Sequence, residues 1–224
     1  MSLPETATFD PASFRLILVD PVPAVCAAWQ ERFAGLPHVE IVNDYFERLP
    51  EFDCLVSAAN SFGHMSGGVD AAIIRFFGEP LMERVQRRIL DEWRGEQPVG
   101  TSMIVPTGDA RHPYLAHTPT MRVPLRITRT DNVYLAMWAM LLAVWHHNRD
   151  AATSTNEVPP IAIRIVACPG LGTATGRVAP DEAARQMALA YRNFLYPPTR
   201  LDWQTALARQ DAVRWGGDPL MTPP

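Results

Sequence analysis

Two segments of the chain follow one order: an apolar run of strand length, a glycine-rich stretch, and then a helical pattern. The first covers residues 53–77 and the second covers residues 161–195. Both glycine-rich stretches are longer than a plain connection between a strand and a helix requires. Strands that alternate with helices in this way predict an α/β domain, in which a mixed, mostly parallel sheet carries helices on both faces.

The other apolar patterns complete this order of elements. Asp131 is expected to be the N-cap of a long helix, and residues 148–160 are expected to form a polar loop. Residues 117–132 contain three arginines and two prolines, and the pattern fits a surface loop as well as a lid. Strands are predicted at 14–19, 39–42, 53–57, 101–106, 114–117 and 161–167, and helices at 24–33, 69–77, 80–93, 132–147 and 181–195.

The composition is that of a globular protein with a substantial core. The chain has 224 residues, of which 47% are hydrophobic and 20% are charged, so one large domain is expected. No charged and apolar leader pattern is visible, and the apolar helix candidate at 133–145 is too short to span a bilayer. Cys26, Cys54 and Cys168 are odd in number and widely spaced, which predicts reduced thiols in a cytoplasm.

The charged residues exclude several kinds of chemistry. All 20 basic residues are arginine, and no lysine is present. A Walker A phosphate loop, a Schiff base and a lysine nucleophile are therefore excluded. The net charge of −4 makes a nucleic-acid partner improbable. The six histidines show no metal-ligand spacing, so neither a metal nor a cofactor is expected.

The loops at 58–69 and 169–178 are the places where a ligand is expected. In α/β sheets, ligands bind outside the carboxyl ends of the strands. Glycine lets the main chain approach a ligand closely, and a helix N-terminus attracts anions, so two such loops side by side suit a diphosphate. Asp70 either complements the helix dipole or acts on the ligand. Asn60 either bonds its own turn or faces a sugar hydroxyl.

Three stretches resemble the macrodomain family. LVSAANSFGHMSGGVDAAI, at 55–73, resembles the motif in which a strand ending in V-N-A-A-N leads through a glycine-rich loop to G-G-V-D-G-A-I. PGLGTATGRV, at 169–178, resembles the second phosphate loop of that family. Residues 40–56 resemble its G-D-I segment and the strand that follows.

The resemblance implies a three-layer α/β/α domain over residues 1–196. Residues 14–34 resemble the strand and helix that usually close a macrodomain at its C-terminus. Here they come first, as in a circular permutation. Residues 197–224 are then expected to form a C-terminal appendage.

The resemblance also implies a ligand, which is ADP-ribose or an ADP-ribosylated protein. Asp44 would bind the adenine amino group with Tyr45 beside it, and Asp20 and Pro21 would lie on the adenine side. Asn60 and Asp70 would be the catalytic pair in a hydrolase, because Asp70 matches the residue that orients the attacking water. The remaining implied ligand-binding residues are Ala58, Ala59, His64, Met65, Gly67, Gly68 and Val69 in the first loop, and Gly170, Leu171, Gly172, Thr173, Ala174, Thr175, Gly176 and Arg177 in the second.

This chain departs from the family motif at Ser57, where asparagine is usual, and at the bulky His64 and Met65. Three functions therefore stay open: an ADP-ribosyl hydrolase, a reader that binds ADP-ribose without turnover, and a scaffold that has lost the ligand. The sequence does not predict an oligomeric state.

Overall fold

The computed structural model of the chain describes residues 14–155 and 159–214. The strands are β1 (Arg15–Val19), β2 (Val39–Val42), β3 (Cys54–Asn60), β4 (Met103–Pro106), β5 (Tyr114–Met121) and β6 (Ile165–Cys168). The helices are α1 (Pro23–Arg32), α2 (Gly68–Phe77), α3 (Pro80–Trp93), α4 (Asn132–Thr153), α5 (Pro180–Leu195) and α6 (Trp203–Val213).

The strands form one six-stranded sheet in the order β2-β1-β6-β3-β5-β4. Neighbouring strands are parallel, except that β4 pairs with β5 in the antiparallel sense. Side chains of α1, α4 and α5, among them Trp29, Met140 and Tyr191, form an apolar core on one face. Ile73 of α2 and Val85 of α3 belong to a second core on the other face. The predicted mixed, mostly parallel sheet with a helical layer on each face is confirmed.

The first strand of the chain does not lie at an edge. β1 pairs with β2 on one side and with β6 on the other. The circularly permuted order stays a prediction, as does the division into residues 1–196 and 197–224. Residues 1–13, 156–158 and 215–224 lie outside the described residues.

Two polar side chains explain why β6 is shorter than predicted. The strand was expected at 161–167, but β6 begins at Ile165. The Asn148 side chain bonds both the N–H and the carbonyl of Ile163. The Asp53 Oδ2 accepts hydrogen bonds from the N–H groups of Arg164 and Ile165, at 2.7 and 2.9 Å. These backbone groups are therefore satisfied by side chains rather than by a strand ladder.

The predicted loop at 148–160 is wrong in its first part, because α4 continues to Thr153. The extra turns are anchored by tertiary contacts that the local sequence does not reveal. His147 bonds the carbonyl of Ile161 through Nε2, and Asn148 bonds Ile163. At the other end of α4, Asp131 occupies the N-cap position without a side-chain cap bond. The Thr130 hydroxyl accepts from the Asn132 N–H instead.

β5 continues past the predicted end at His117, even though it contains Pro119. The pairing with β4 ends at His117, so beyond this residue β5 has β3 as its sheet neighbour. Proline is tolerated where one side of a strand needs no donor. The longer strand brings Thr120 and Met121 to the carboxyl edge of the sheet.

The tail beyond residue 196 contains a helix that packs on the domain. Asp202 caps α6 by accepting from the N–H of Thr205 at 2.8 Å. At the other end of α6, the Arg185 guanidinium donates to the carbonyls of Ala212 and Val213. Within 14–155 and 159–214, no helix combines the length and the hydropathy needed to cross a membrane.

We expect Asp53→Ala to lower the free energy of unfolding by about 1–2 kcal/mol, because two backbone N–H groups lose their acceptor. This carboxylate ties the start of β3 to the start of β6, the two strands whose far ends carry the glycine-rich loops. Urea unfolding followed by circular dichroism measures the change. Asp150→Ala removes an exposed carboxylate and serves as the control. Equal effects of the two variants would contradict the assigned role of Asp53.

Candidate functional site

A cavity of about 470 Å³ runs along the carboxyl edge of the sheet. Its walls come from the ends of β1, β2, β3, β5 and β6 and from the first turns of α2. Many of the ligand-binding residues named from the sequence line this cavity. They are Asp20, Pro21, Tyr45, Ala58, Gly67, Gly68, Val69, Asp70, Gly170, Gly172, Thr173, Ala174, Thr175 and Gly176. Parallel strands therefore bring both glycine-rich loops to one cavity, as the sequence predicts.

The first loop ends in two glycines at the N-terminus of α2. Gly67 is the N-cap, and Gly68 has a φ of +58°, which favours glycine. No heavy atom lies within 4 Å of the position that a Cβ would take at either glycine. The first N–H groups of a helix have no partner within the helix. The open start of α2 is therefore suited to accept an anion from the cavity.

The second loop is a tight turn that excludes side chains at two positions. A Cβ on Gly176 would lie 2.5 Å from the Gly172 carbonyl oxygen, and Gly172 itself has a φ of +72°. The Ile127 N–H donates to the Gly176 carbonyl at 2.9 Å. Ile127 is buried and belongs to the segment that fitted either a surface loop or a lid. At Ile127, the segment 117–132 therefore packs against the second glycine loop and is hydrogen-bonded to it.

Asp70 is the buried acid of the cavity, with only 6% of its surface exposed. The Ser57 hydroxyl donates to its Oδ1 at 2.6 Å. Burial raises the pKa of Asp70 to about 6, and the Ser57 hydrogen bond acts in the opposite direction. An acid with such a raised pKa, at the wall of a cavity, is a candidate functional group.

Asp20 joins the loop after β1 to the second glycine loop. Its Oδ1 accepts from the Val22 N–H at 2.9 Å, and its Oδ2 accepts from the Gly170 N–H at 3.2 Å. The carboxylate also lines the cavity. Pro21 follows at the rim. Both residues therefore line the cavity, and their place on the adenine side of a ligand stays a prediction.

Tyr45 and Asp44 differ in where their side chains lie. Tyr45 lines the cavity with 54% of its surface exposed, and the Arg48 guanidinium lies 5.6 Å from the centre of its ring. Asp44 is not among the lining residues, and its Oδ1 accepts from the Tyr45 N–H and from Arg48. An exposed aromatic ring is thus available at this end of the cavity.

Asn60 lies outside the lining of the cavity, although it was predicted to be catalytic. Its amide donates to the His64 carbonyl at 2.7 Å, and its Oδ1 accepts from the N–H groups of Phe62 and His64. The side chain therefore holds its own turn. Met65 is buried in the second core, which also contains Ile73 and Val85. His64 is exposed and does not line the cavity.

Three further predicted residues also lie outside the lining. Ala59 and Leu171 are buried in the domain. Arg177 is exposed and has a φ of +56°. Its backbone, rather than its side chain, closes the second loop, since its N–H donates to the Ala174 carbonyl.

Sequence reasoning missed several residues that form the site. Ser57 was noted as a departure from the motif but not as a partner of Asp70. Thr120 and Met121 line the cavity because β5 is longer than predicted. The rule that ligands lie at strand ends could have found three others, which follow β1 and β2: Val22, Phe46 and Glu47.

The charges around the cavity are mostly acidic. Asp20, Glu47 and Asp70 line it, and Arg75 is the one basic side chain among the described lining residues. An anion would therefore be held by backbone N–H groups and helix dipoles rather than by basic side chains. In the described parts of the chain, no group of three histidine, cysteine or acidic residues could hold a metal ion.

The sequence model of the Macro domain family matches residues 56–187. The chain belongs to the macrodomain family. An uncharacterised protein of Aquifex aeolicus is 31% identical over 142 residues, which cover 63% of this chain and 74% of that protein. An uncharacterised protein of Aeropyrum pernix is 28% identical over 138 residues and 62% of each chain.

Solved macrodomain structures share the fold. The macrodomain of Mycobacterium tuberculosis DarG has a TM-score of 0.54 at 18% identity, over 70% of this chain and 95% of that one. The Oceanobacillus iheyensis macrodomain with ADP has a TM-score of 0.51 at 20% identity, over 64% and 70%. A mutant of the latter with ADPR reaches 0.53 at 15% identity, over 92% and 95%. At these identities the likeness shows the fold of this macrodomain.

We expect Asp70→Asn to change how the stability of this macrodomain depends on pH. The pKa of Asp70 rises from 3.8 to about 6 on folding, so the folded protein holds a proton that the unfolded chain releases between these values. The protonated form of Asp70 makes its full contribution to the free energy of unfolding below about pH 4. This contribution is lost as the pH rises through about 6. From pH 4 to pH 7, the wild type should therefore lose about 2–3 kcal/mol relative to Asp70→Asn. Urea unfolding across this range measures it, and parallel curves would contradict the raised pKa.

Proposed function

We propose that this macrodomain binds ADP-ribose in the cavity at the carboxyl edge of its sheet. One observation carries the proposal: the open N-terminus of α2 and the second glycine loop line the same cavity. The volume of about 470 Å³ lies in the range of small-molecule sites. Relatives of the same fold contain ADP and ADPR, which supports a ligand of this class.

The diphosphate would lie between the two glycine loops. Gly67 and Gly68 leave space for phosphate oxygens close to the main chain, because no atom lies within 4 Å of either Cβ position. The dipole of α2 points its positive end at this space. Such a site needs no lysine, which agrees with the composition of the chain.

The residues at the two ends of the cavity support one direction for the ligand. β2 and β1 lie at one end of the cavity, while β3 and β5 lie at the other. The adenosine would lie against Tyr45 and Asp20, since these residues combine an exposed ring with a carboxylate acceptor. The distal ribose would then lie towards Asp70 and Thr120.

We expect Gly67→Val to weaken ADP-ribose binding at least about tenfold without unfolding the protein. Gly67 has φ −138° and ψ 158°, a conformation that valine adopts freely. The added side chain would occupy the space assigned to the diphosphate and would cover the start of α2. Isothermal titration calorimetry measures the affinity, and circular dichroism checks the fold.

Ser66→Val places the same valine side chain one residue earlier, at an exposed position that does not line the cavity. This control should bind as the wild type does. A wild type with no measurable affinity would support a scaffold that has lost the ligand. Undiminished binding by Gly67→Val would show that the ligand lies elsewhere.

Hydrolysis of ADP-ribosyl conjugates of proteins is a second candidate function, and Asp70 favours it. The carboxylate lines the cavity, and its pKa of about 6 suits a group that takes a proton near neutral pH. A water oxygen would bond to the anomeric carbon of the distal ribose, while the bond from that carbon to the modified side chain breaks. Asp70 would accept the proton of the water, and the departing side chain would take up a proton.

The rival of the hydrolase is a reader that binds without turnover, and Asn60 favours this alternative. Its amide is engaged by the Phe62 and His64 backbone, so it is not free to position a water. Catalysis would then depend on Asp70 with the ligand's own phosphate.

We expect Asp70→Asn to bind ADP-ribose at least as tightly as the wild type and to lose most turnover, about 100-fold or more, because asparagine cannot accept the proton. The assay measures ADP-ribose released from an ADP-ribosylated protein. His64→Ala, which alters an exposed residue outside the lining, serves as the control. Full activity of Asp70→Asn would remove Asp70 from the mechanism. Binding without release in the wild type would establish the reader.

A further inference from the structure

We propose that Ser57 is the positioning residue of the site: its hydroxyl fixes one oxygen of the Asp70 carboxylate and leaves the other oxygen for the ligand. The inference deepens the proposed function and rests on it, because Asp70 has a task only if the cavity holds a ligand. Ser57 stands at one of the positions where the sequence departs from the macrodomain motif.

The two side chains are each other's hydrogen-bond partners. Ser57 has no exposed surface, and its Oγ lies 2.6 Å from the Asp70 Oδ1. Among the described residues, this is the single hydrogen bond that either side chain makes. A hydroxyl in the middle of a buried strand is costly unless it is bonded. The pairing accounts for a serine at this point in β3.

The pair joins the sheet to the helix that begins at the cavity. Ser57 belongs to β3, which is held by β5 and β6 on its two sides. Asp70 belongs to the first turn of α2, directly after Gly67 and Gly68. A rigid strand therefore sets the rotation of a carboxylate that the flexible glycines alone would leave free.

His117 is the titratable residue opposite Ser57, with which it is in register on β5. Its Nδ1 bonds the Gln97 Oε1 at 2.6 Å, and no described atom bonds its Nε2. Burial lowers the pKa of His117 to about 3, so the ring is neutral at the pH values at which Asp70 titrates. It adds no charge to the pair.

The other charged groups near Asp70 belong to the wall of the cavity. They are Asp20 after β1, Glu47 after β2 and Arg75 further along α2. Burial raises the pKa of Asp70, and the Ser57 hydroxyl lowers it. The hydroxyl therefore favours the ionised form of the acid.

The test is Ser57→Ala, followed by a direct titration of the Asp70 carboxyl with ¹³C NMR and assigned with Asp70→Asn. Loss of one hydrogen bond to a charged acceptor should move the midpoint upward by about one to two pH units. Ser57→Thr keeps the hydroxyl and should stay near the wild-type midpoint. Thr118→Val removes another buried hydroxyl, one bonded to Ser102, and should leave the midpoint unchanged.

Affinity for ADP-ribose, measured over the same pH range, gives an independent readout. Because an ionised Asp70 repels a diphosphate, the wild type should bind more tightly as the pH falls through about 6, and Ser57→Ala should show this change at higher pH. An unmoved carboxyl midpoint in Ser57→Ala, or a shift of equal size in Thr118→Val, would overturn the role of Ser57. A wild type that binds no ADP-ribose contradicts the proposed function instead, and the carboxyl titration still decides the role of Ser57.

Discussion

The parallel pairing of β1, β6 and β3 is the constraint on which the candidate site depends. β6 pairs with β1 along four residues and with β3 along two, so the three carboxyl ends meet at one edge of the sheet. Each end continues into a loop that lines the cavity. Asp20, after β1, accepts a hydrogen bond from Gly170, after β6. The loops are thus tied to each other as well as to the sheet.

This arrangement would suit an anion site without lysine. The start of α2 and the second glycine loop supply main-chain donors, while the described side chains of the wall are mostly acidic. Backbone donors cost no side-chain entropy when they bind, and a helix dipole adds to their effect. The acidic side chains would then serve the sugar and base of a nucleotide, while the diphosphate lies against the main chain.

Much of the fold could be predicted because apolar runs mark the strands and helical periodicity marks the helices. The errors have one physical cause, which is tertiary contact. Asn148 and Asp53 take the backbone groups before β6 and shorten that strand. The absence of a β4 partner beyond His117 lets β5 continue through Pro119. No local pattern contains this information.

The part of the candidate site that glycine residues and the start of a helix form could be predicted from the sequence. Gly68, Gly172 and Gly176 lie where a positive φ or a tight turn favours glycine, and Gly67 leaves open space at the start of α2. Side-chain direction was not predictable: Asn60 turns to its own loop, and Ser57 turns to Asp70. Two residues of one motif thus face different partners, and a linear motif does not determine which.

The crystal structure of this macrodomain with ADP-ribose tests the central claim most directly. We expect diphosphate oxygens within hydrogen-bond distance of the backbone N–H groups at the start of α2 and of the loop from Gly170 to Gly176. We also expect the adenine beside Tyr45 and the distal ribose beside Asp70. Density for the diphosphate away from both loops, or a cavity that stays empty at saturating ADP-ribose, would contradict it.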